Sequence, residues 1–280
     1  MRLIALKFLR DVPAVMGLAI VLFGLFVAVF ATELAPHPEA AFQSNLLARF
    51  KPPSAEFWFG TDNLGRDIFS RVVLGTQSAF VIALTVVGSA MLIGVPLGLF
   101  AGYLGGWRSE LIMRVTDVVL AVPQLILALA LAQLMKPGLS TAMLALALTY
   151  WPFFTRTVYA ETRRLRTSLF VEALQGVGAS TVRIVFLHIL PNAASPIIVR
   201  ATIGMGFTIL TAAVLGFLGV GATPPDPDWG LAIAESRKFL PETWWFATFP
   251  GLAILIAVLG FNLLGDGLRD LVDPRLRRSR

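Results

Sequence analysis

Side chains that attack, ligate or shuttle protons are scarce in this sequence, and those present stand far apart. Its 280 residues include 2 histidines, His37 and His188, and no cysteine, which removes disulfides, thiolate metal sites and thiol nucleophiles. The paired histidines of a zinc-protease helix, a phosphate loop ending in Gly-Lys-Ser/Thr and a Gly-x-Ser-x-Gly nucleophile elbow are all missing from the sequence. Gly176-Val177-Gly178 matches only a fragment of a phosphate loop and reads better as a helix terminator. No residue is therefore assigned to catalysis or to a metal.

What remains is charge inside or beside apolar runs. An ionised group in hydrocarbon is costly and faces protein, water or an opposite charge. Arg200, Asp117 and Asp266 are thus candidates for a pathway or a subunit interface, with structural ion pairing as the competing reading. His37 reads as a loop residue, and His188 as a structural or interface residue.

These groups are set in a chain that is 56% hydrophobic and 14% charged, against about 45–50% apolar and about 25% charged in soluble domains. A mean hydropathy of +0.77 over the whole length requires several crossings, because one span needs only about 20 residues. Six are predicted, at 12–32, 77–103, 111–135, 139–159, 193–221 and 246–266. They must be helices, because unpaired backbone groups in lipid cost several kcal/mol, and the runs lack the alternation of barrel strands. The fold class is an all-α membrane protein. The first run is too long for a cleaved signal segment.

Of the 23 lysines and arginines, fifteen fall on the side of the N-terminus and seven on the other, which predicts that both termini are cytoplasmic. The net charge of +6 therefore reads as topogenic, and nucleic acid is not an expected partner. The segments are 1–11 inside, 12–76 as first span and outer loop, 77–268 as core, and 269–280 as cytoplasmic tail. Pro96, Pro123 and Pro152 predict kinks, and the pairs Gly98/Gly102, Gly102/Gly106 and Gly216/Gly219 permit close helix approach. The outer loop, with Pro36, Pro38, Pro52 and Pro53, fits either a contact with another protein or the membrane surface.

The cytoplasmic loop 161–191 is too long for a bare connection. Ser168 to Gly178 predicts a short helix capped by Ser168 and ended by glycine, and Ser180 to about Ile189 a second one stopped by Pro191. A short, mildly amphipathic helix held outside the bilayer is a surface suited to another protein.

Glu172-Ala173-Leu174, Gly178 and His188-Ile189-Leu190-Pro191 resemble the EAA loop of binding-protein-dependent ABC importer permeases. Leu174 departs from the usual alanine and His188 from the usual isoleucine, and the latter resembles the dipeptide/oligopeptide/nickel branch. Phe59 to Asp67, Gly216 to Gly221, Phe249-Pro250-Gly251 and Phe261 to Asp270 are similar, in order, to the C-type permease of that branch. The resemblance implies a methionine-importer-like permease fold in which Glu172, Ala173, Leu174, Gly178, His188, Leu190 and Pro191 form the coupling surface. It also implies a homologous second permease, two ATP-binding subunits that carry ATP and Mg, and an extracytoplasmic substrate-binding protein. An intramembrane enzyme would need a polar cluster at one depth, and a stand-alone channel or secondary transporter would need mid-membrane ion or proton sites; neither is visible in the sequence.

Overall fold

The computed structural model describes residues 8–272. Arg2 and Lys7, and the tail from Asp273 through Arg280, lie outside the described residues. The long helices are α1 (Val12–Val29), α2 (Ile68–Leu104), α3 (Gly106–Ala121), α4 (Gln124–Gln133), α5 (Leu139–Arg166) and α6 (Leu169–Gly176). They are followed by α7 (Thr181–Phe217), α8 (Trp229–Ser236) and α9 (Trp244–Val272).

Among the described residues, α1, α2, α7 and α9 are each long and apolar enough to cross a bilayer, in agreement with four of the predicted spans. The third predicted span is broken: α3 and α4 meet at 84°. Val122 ends α3 in extended geometry and Pro123 follows it as the N-cap of α4, since proline lacks the N–H that would carry α3 onward and disfavours helical geometry in the residue before it. Pro96 and Pro152, by contrast, sit inside continuous helices. The fourth span, α5, has 28 residues, about 42 Å at 1.5 Å each, but falls short in hydropathy because of its threonines and Arg156. Thr149, Thr155 and Thr162 are buried, and Thr149 and Thr155 donate to their own helix carbonyls at i−4, at 3.1 and 3.3 Å. α5 is shielded by its neighbours, so a polar face does not meet lipid.

The seam between α2 and α5 sets the core. A Cβ on Gly94 would lie 2.4 Å from the Trp151 carbonyl oxygen, one on Gly98 2.6 Å from that of Thr155, and one on Gly102 2.6 Å from Thr162 Cβ. The expected Gly98/Gly102 pair is therefore extended upstream by Gly94, whereas Gly106 and Gly219 face open space. α1 lies outside this core against α9, where a Cβ on Gly17 would come within 2.4 Å of the Leu264 nitrogen.

α2 starts nine residues before the predicted boundary because Asp67 caps it, accepting from Ser70 N at 2.9 Å. The segment before it is folded. Arg66 is 1% exposed and donates to Asp62 at 2.5 Å and to Glu235 at 2.7 Å, and Arg71 donates to the carbonyls of Ala41 and Pro225 at 2.7 and 3.1 Å. This network closes a cap over one end of the bundle.

Candidate functional site

At the other end of α2 the 161–191 segment makes a built projection. α5 continues to Arg166, and α6 follows after a two-residue turn. Ser168 stands at the N-cap position but does not cap: its hydroxyl donates back to the Leu165 carbonyl at 2.5 Å. The end of α6 is as predicted. Gly178 has φ of +75°, Ala179 N donates to Leu174 O at 3.0 Å and Gly178 N to Gln175 O at 3.0 Å. These two bonds are a Schellman closure, which needs a left-handed residue at this place.

α6 has two unlike sides. Val171 is fully buried and Leu174 half-buried against the core. Leu169 and Val177 are 83% and 82% exposed, and Ala173 lies between them on the same face at four-residue spacing. Glu172 is exposed in the first turn, where a carboxylate favours the positive end of the helix dipole. Gln175 Nε2 donates to Tyr103 Oη at 3.0 Å, and the Arg166 guanidinium lies 5.9 Å from the Tyr103 ring centroid. α6 is thereby tied to the last turn of α2, which the last turn of α5 also meets through Arg166. Neither Tyr103 nor Gln175 was singled out by sequence reasoning, which has no signal for a contact between residues 72 positions apart.

The predicted second helix does not stop at Pro191. Thr181 to Phe217 is one helix whose Ile184–Ile189 stretch is a wide π turn. Pro191 has no N–H for the Leu187 carbonyl and its ring would crowd that carbonyl in a regular α turn. The wider turn makes room, and Asn192 Nδ2 donates to the next carbonyl, that of His188, at 2.7 Å. His188 and Leu190 are half-buried in this junction and Pro191 is exposed. The seven residues predicted for coupling therefore lie on α6, its closing turn and the junction into α7. His37 accepts no part in this site: its N–H donates to Ser70 Oγ at the opposite end of α2.

The remaining candidates separate. Asp117 is paired with Arg156 of α5, both about half exposed at 52% and 58%. It lines an open polar cavity of about 450 Å³ between α2, α3 and α5, together with Glu110, Arg114, Arg163 and Arg166. Arg200 of α7 lies over α5, 4.8 Å from the Phe153 ring centroid and 5.9 Å from that of Tyr150, and its Nε has no hydrogen-bond partner. Asp266 is exposed on α9, apart from both.

This arrangement of helices has a counterpart among solved structures. The chain superposes on a chain of the MetNI methionine ABC transporter in an inward-facing form, with TM-score 0.60 over 74% of this chain and 98% of that one, at 19% identity. The likeness is one of fold. Residues 94–278 match the family of binding-protein-dependent transport system inner membrane components, and the chain belongs to it. It is 44% identical to a dipeptide transport system permease protein of Alkalihalophilus pseudofirmus, over 94% of this chain and 86% of that one. It is 40% identical to a di/tripeptide permease protein of Pseudomonas aeruginosa (98% and 91% covered), and 41% to a glutathione permease protein of Pectobacterium atrosepticum (97% and 90%).

Proposed function

We propose that this chain is the permease subunit of an ATP-binding-cassette importer, forming half of the translocation pathway for dipeptides or short oligopeptides. Through α6 it couples that pathway to ATPase subunits that carry ATP and Mg. The observation that carries the reading is the two-sided α6, anchored inward by Val171 and Gln175 and presenting Leu169, Ala173 and Val177 to a partner. The cargo follows the names of the relatives, among which glutathione is one short peptide. The partners are a homologous second permease, two ATPases and an extracytoplasmic binding protein, and the chain itself performs no hydrolysis.

Charge placement supports cytoplasmic termini. Arg66 and Arg71, counted on the outer side, are buried in the cap network, so the free positive charge facing that side is smaller than the sequence count. In this orientation the Asp117 cavity opens on the cytoplasmic side, next to α6. Glu172→Lys in the reconstituted transporter should abolish peptide uptake while the subunit still inserts and folds. Wild-type uptake by that variant, or peptide flux through this chain without any ATPase, would refute the proposal.

A further inference from the structure

Between α1, α2 and α9, at the end of the bundle nearer the cap, lies a cavity of about 660 Å³. Its floor is buried aromatic surface, Phe80 and Phe261, with Ala253 and Ala257 beside them, while its rim residues Phe23 and Ile256 are 67% and 51% exposed. The polar groups along it are few: the Thr76 hydroxyl donates to the Val72 carbonyl at 3.1 Å, and the Trp229 indole N–H donates to the same oxygen at 3.0 Å. Water needs two to four polar partners to settle in a cavity, and here it would find almost none. A space of this size does not stay empty in a close-packed protein surrounded by fluid.

We propose that this groove holds one acyl chain of a phospholipid. The occupant follows from depth and length. α1, α2 and α9 are membrane-crossing helices, so the medium at the rim is hydrocarbon. The lining runs from Phe69 to Phe80 on α2 and from Phe249 to Phe261 on α9, about 16–18 Å at 1.5 Å per residue. One leaflet of a core about 30 Å thick is about 15 Å deep. The groove is thus one leaflet long, begins beside Trp58, an aromatic of the kind found at membrane interfaces, and ends at mid-bilayer. A peptide is a poor alternative, because its amides would be left without partners. The proposal rests on the membrane-crossing helices and not on the peptide-importer reading.

The test uses the complete transporter in phosphatidylethanolamine/phosphatidylglycerol vesicles with trace phosphatidylcholine carrying a photoreactive diazirine on one chain. Peptide mapping should find label on Ala253 and Ala257 and their neighbours, at Phe69 and Phe249 when the diazirine is near the ester and at Phe80 and Phe261 when it is at the chain end. Ala253→Phe with Ala257→Phe should cut groove labelling at least several-fold and leave labelling at Leu92, an exposed residue of α2 outside the groove, unchanged. The depth-graded pattern needs no variant, so the idea stays testable if the filled protein misfolds. Label at Leu92 with none in the groove would overturn it. So would groove label on the isolated chain that vanishes in the complete transporter, which would make a protein subunit the occupant, or competition by peptide without competition by lipid.

Discussion

Gly178 offers the sharpest separation of coupling from folding. Its φ of +75° is left-handed, and the turn it permits closes α6 through the Ala179–Leu174 and Gly178–Gln175 bonds. A Cβ placed there meets nothing within 4 Å, so substitution adds no clash and the whole effect is backbone strain. That strain is about 1–2 kcal/mol for an ordinary L-residue, and each 1.4 kcal/mol is about tenfold in the equilibrium between closed and frayed turn. Asparagine tolerates left-handed geometry far better than alanine or valine. Peptide uptake per ATP hydrolysed, measured in proteoliposomes containing the complete transporter, should therefore fall in the order wild type, G178N, G178A, G178V. The fall should reach several-fold to about tenfold for alanine. The thermal midpoint of the helical bundle should hardly move, because α6 contributes only Val171 and Leu174 to the core. Equal coupling across the series, or G178N as poor as G178V, would refute the argument, since it would mean that the Schellman turn does not hold the docking helix in place.

Gly98→Leu should abolish folded protein on fluorescence-detected size exclusion, because its Cβ would start 2.6 Å from the Thr155 carbonyl and overpacking of this kind costs about 1–3 kcal/mol or more; Gly88→Leu, in open space, should be tolerated. Arg66→Ala strands Glu235 and leaves Asp62 only the more distant Arg71, at 3.8 Å, and should lower stability by about 3 kcal/mol, read as a lower thermal midpoint in detergent, with Glu235→Gln in the same chain recovering part of it. Asp228 caps α8 by accepting from Leu231 N at 2.8 Å, and burial, the dominant cause, raises its pKa above the ordinary 3.8. Its protonated form is thus favoured by folding, so the associated stability is full below about pH 3.8 and is lost as pH rises through the higher folded value; Asp228→Asn should flatten the fall of the thermal midpoint with rising pH across that window.

Spans with a continuous apolar window were legible, and α1, α2, α7 and α9 lie where hydropathy puts them, apart from their ends. The ends are set by contacts that hydropathy does not carry: Asp67 starts α2 early, and the π turn lets α7 begin at Thr181 and pass through Pro191. Pro123 was readable as a kink, but the 84° bend depends on what α4 packs against. The positions of Gly178 and Glu172 followed from motif spacing, and Gly178 keeps its predicted role as a terminator for a backbone reason. Arg66 and Arg71 enter the sequence count only as outer-side charges, because a sequence marks a loop arginine as topogenic by default and carries no sign of its burial. Asp62 at i−4 was a visible partner for Arg66, but Glu235 lies 169 residues away and becomes a partner only when α8 folds over the cap.

The same contacts bear on how movement of α6 would travel under the proposed coupling role. α2 is fixed at both ends, by Arg71 and the Trp229–Val72 bond at the cap and by Tyr103–Gln175 at α6. Between these points its Gly94, Gly98 and Gly102 seam leaves α5 almost no room to slide, because backbone meets backbone there. Displacement of α6 would therefore move α2 and α5 as a pair. α7 is different. It joins α6 through the Ile184–Ile189 π turn, where Pro191 removes one backbone bond and such turns allow local changes of register. The compliant element is thus the entry to α7, the helix that carries Arg200 over Phe153 of α5. Under the proposed coupling role, a shift between α7 and the α2/α5 pair would alter the setting of that arginine without disturbing the cap, and the bend would fall in the Ile184–Ile189 turn and at Pro191, which overlap the predicted coupling residues His188, Leu190 and Pro191.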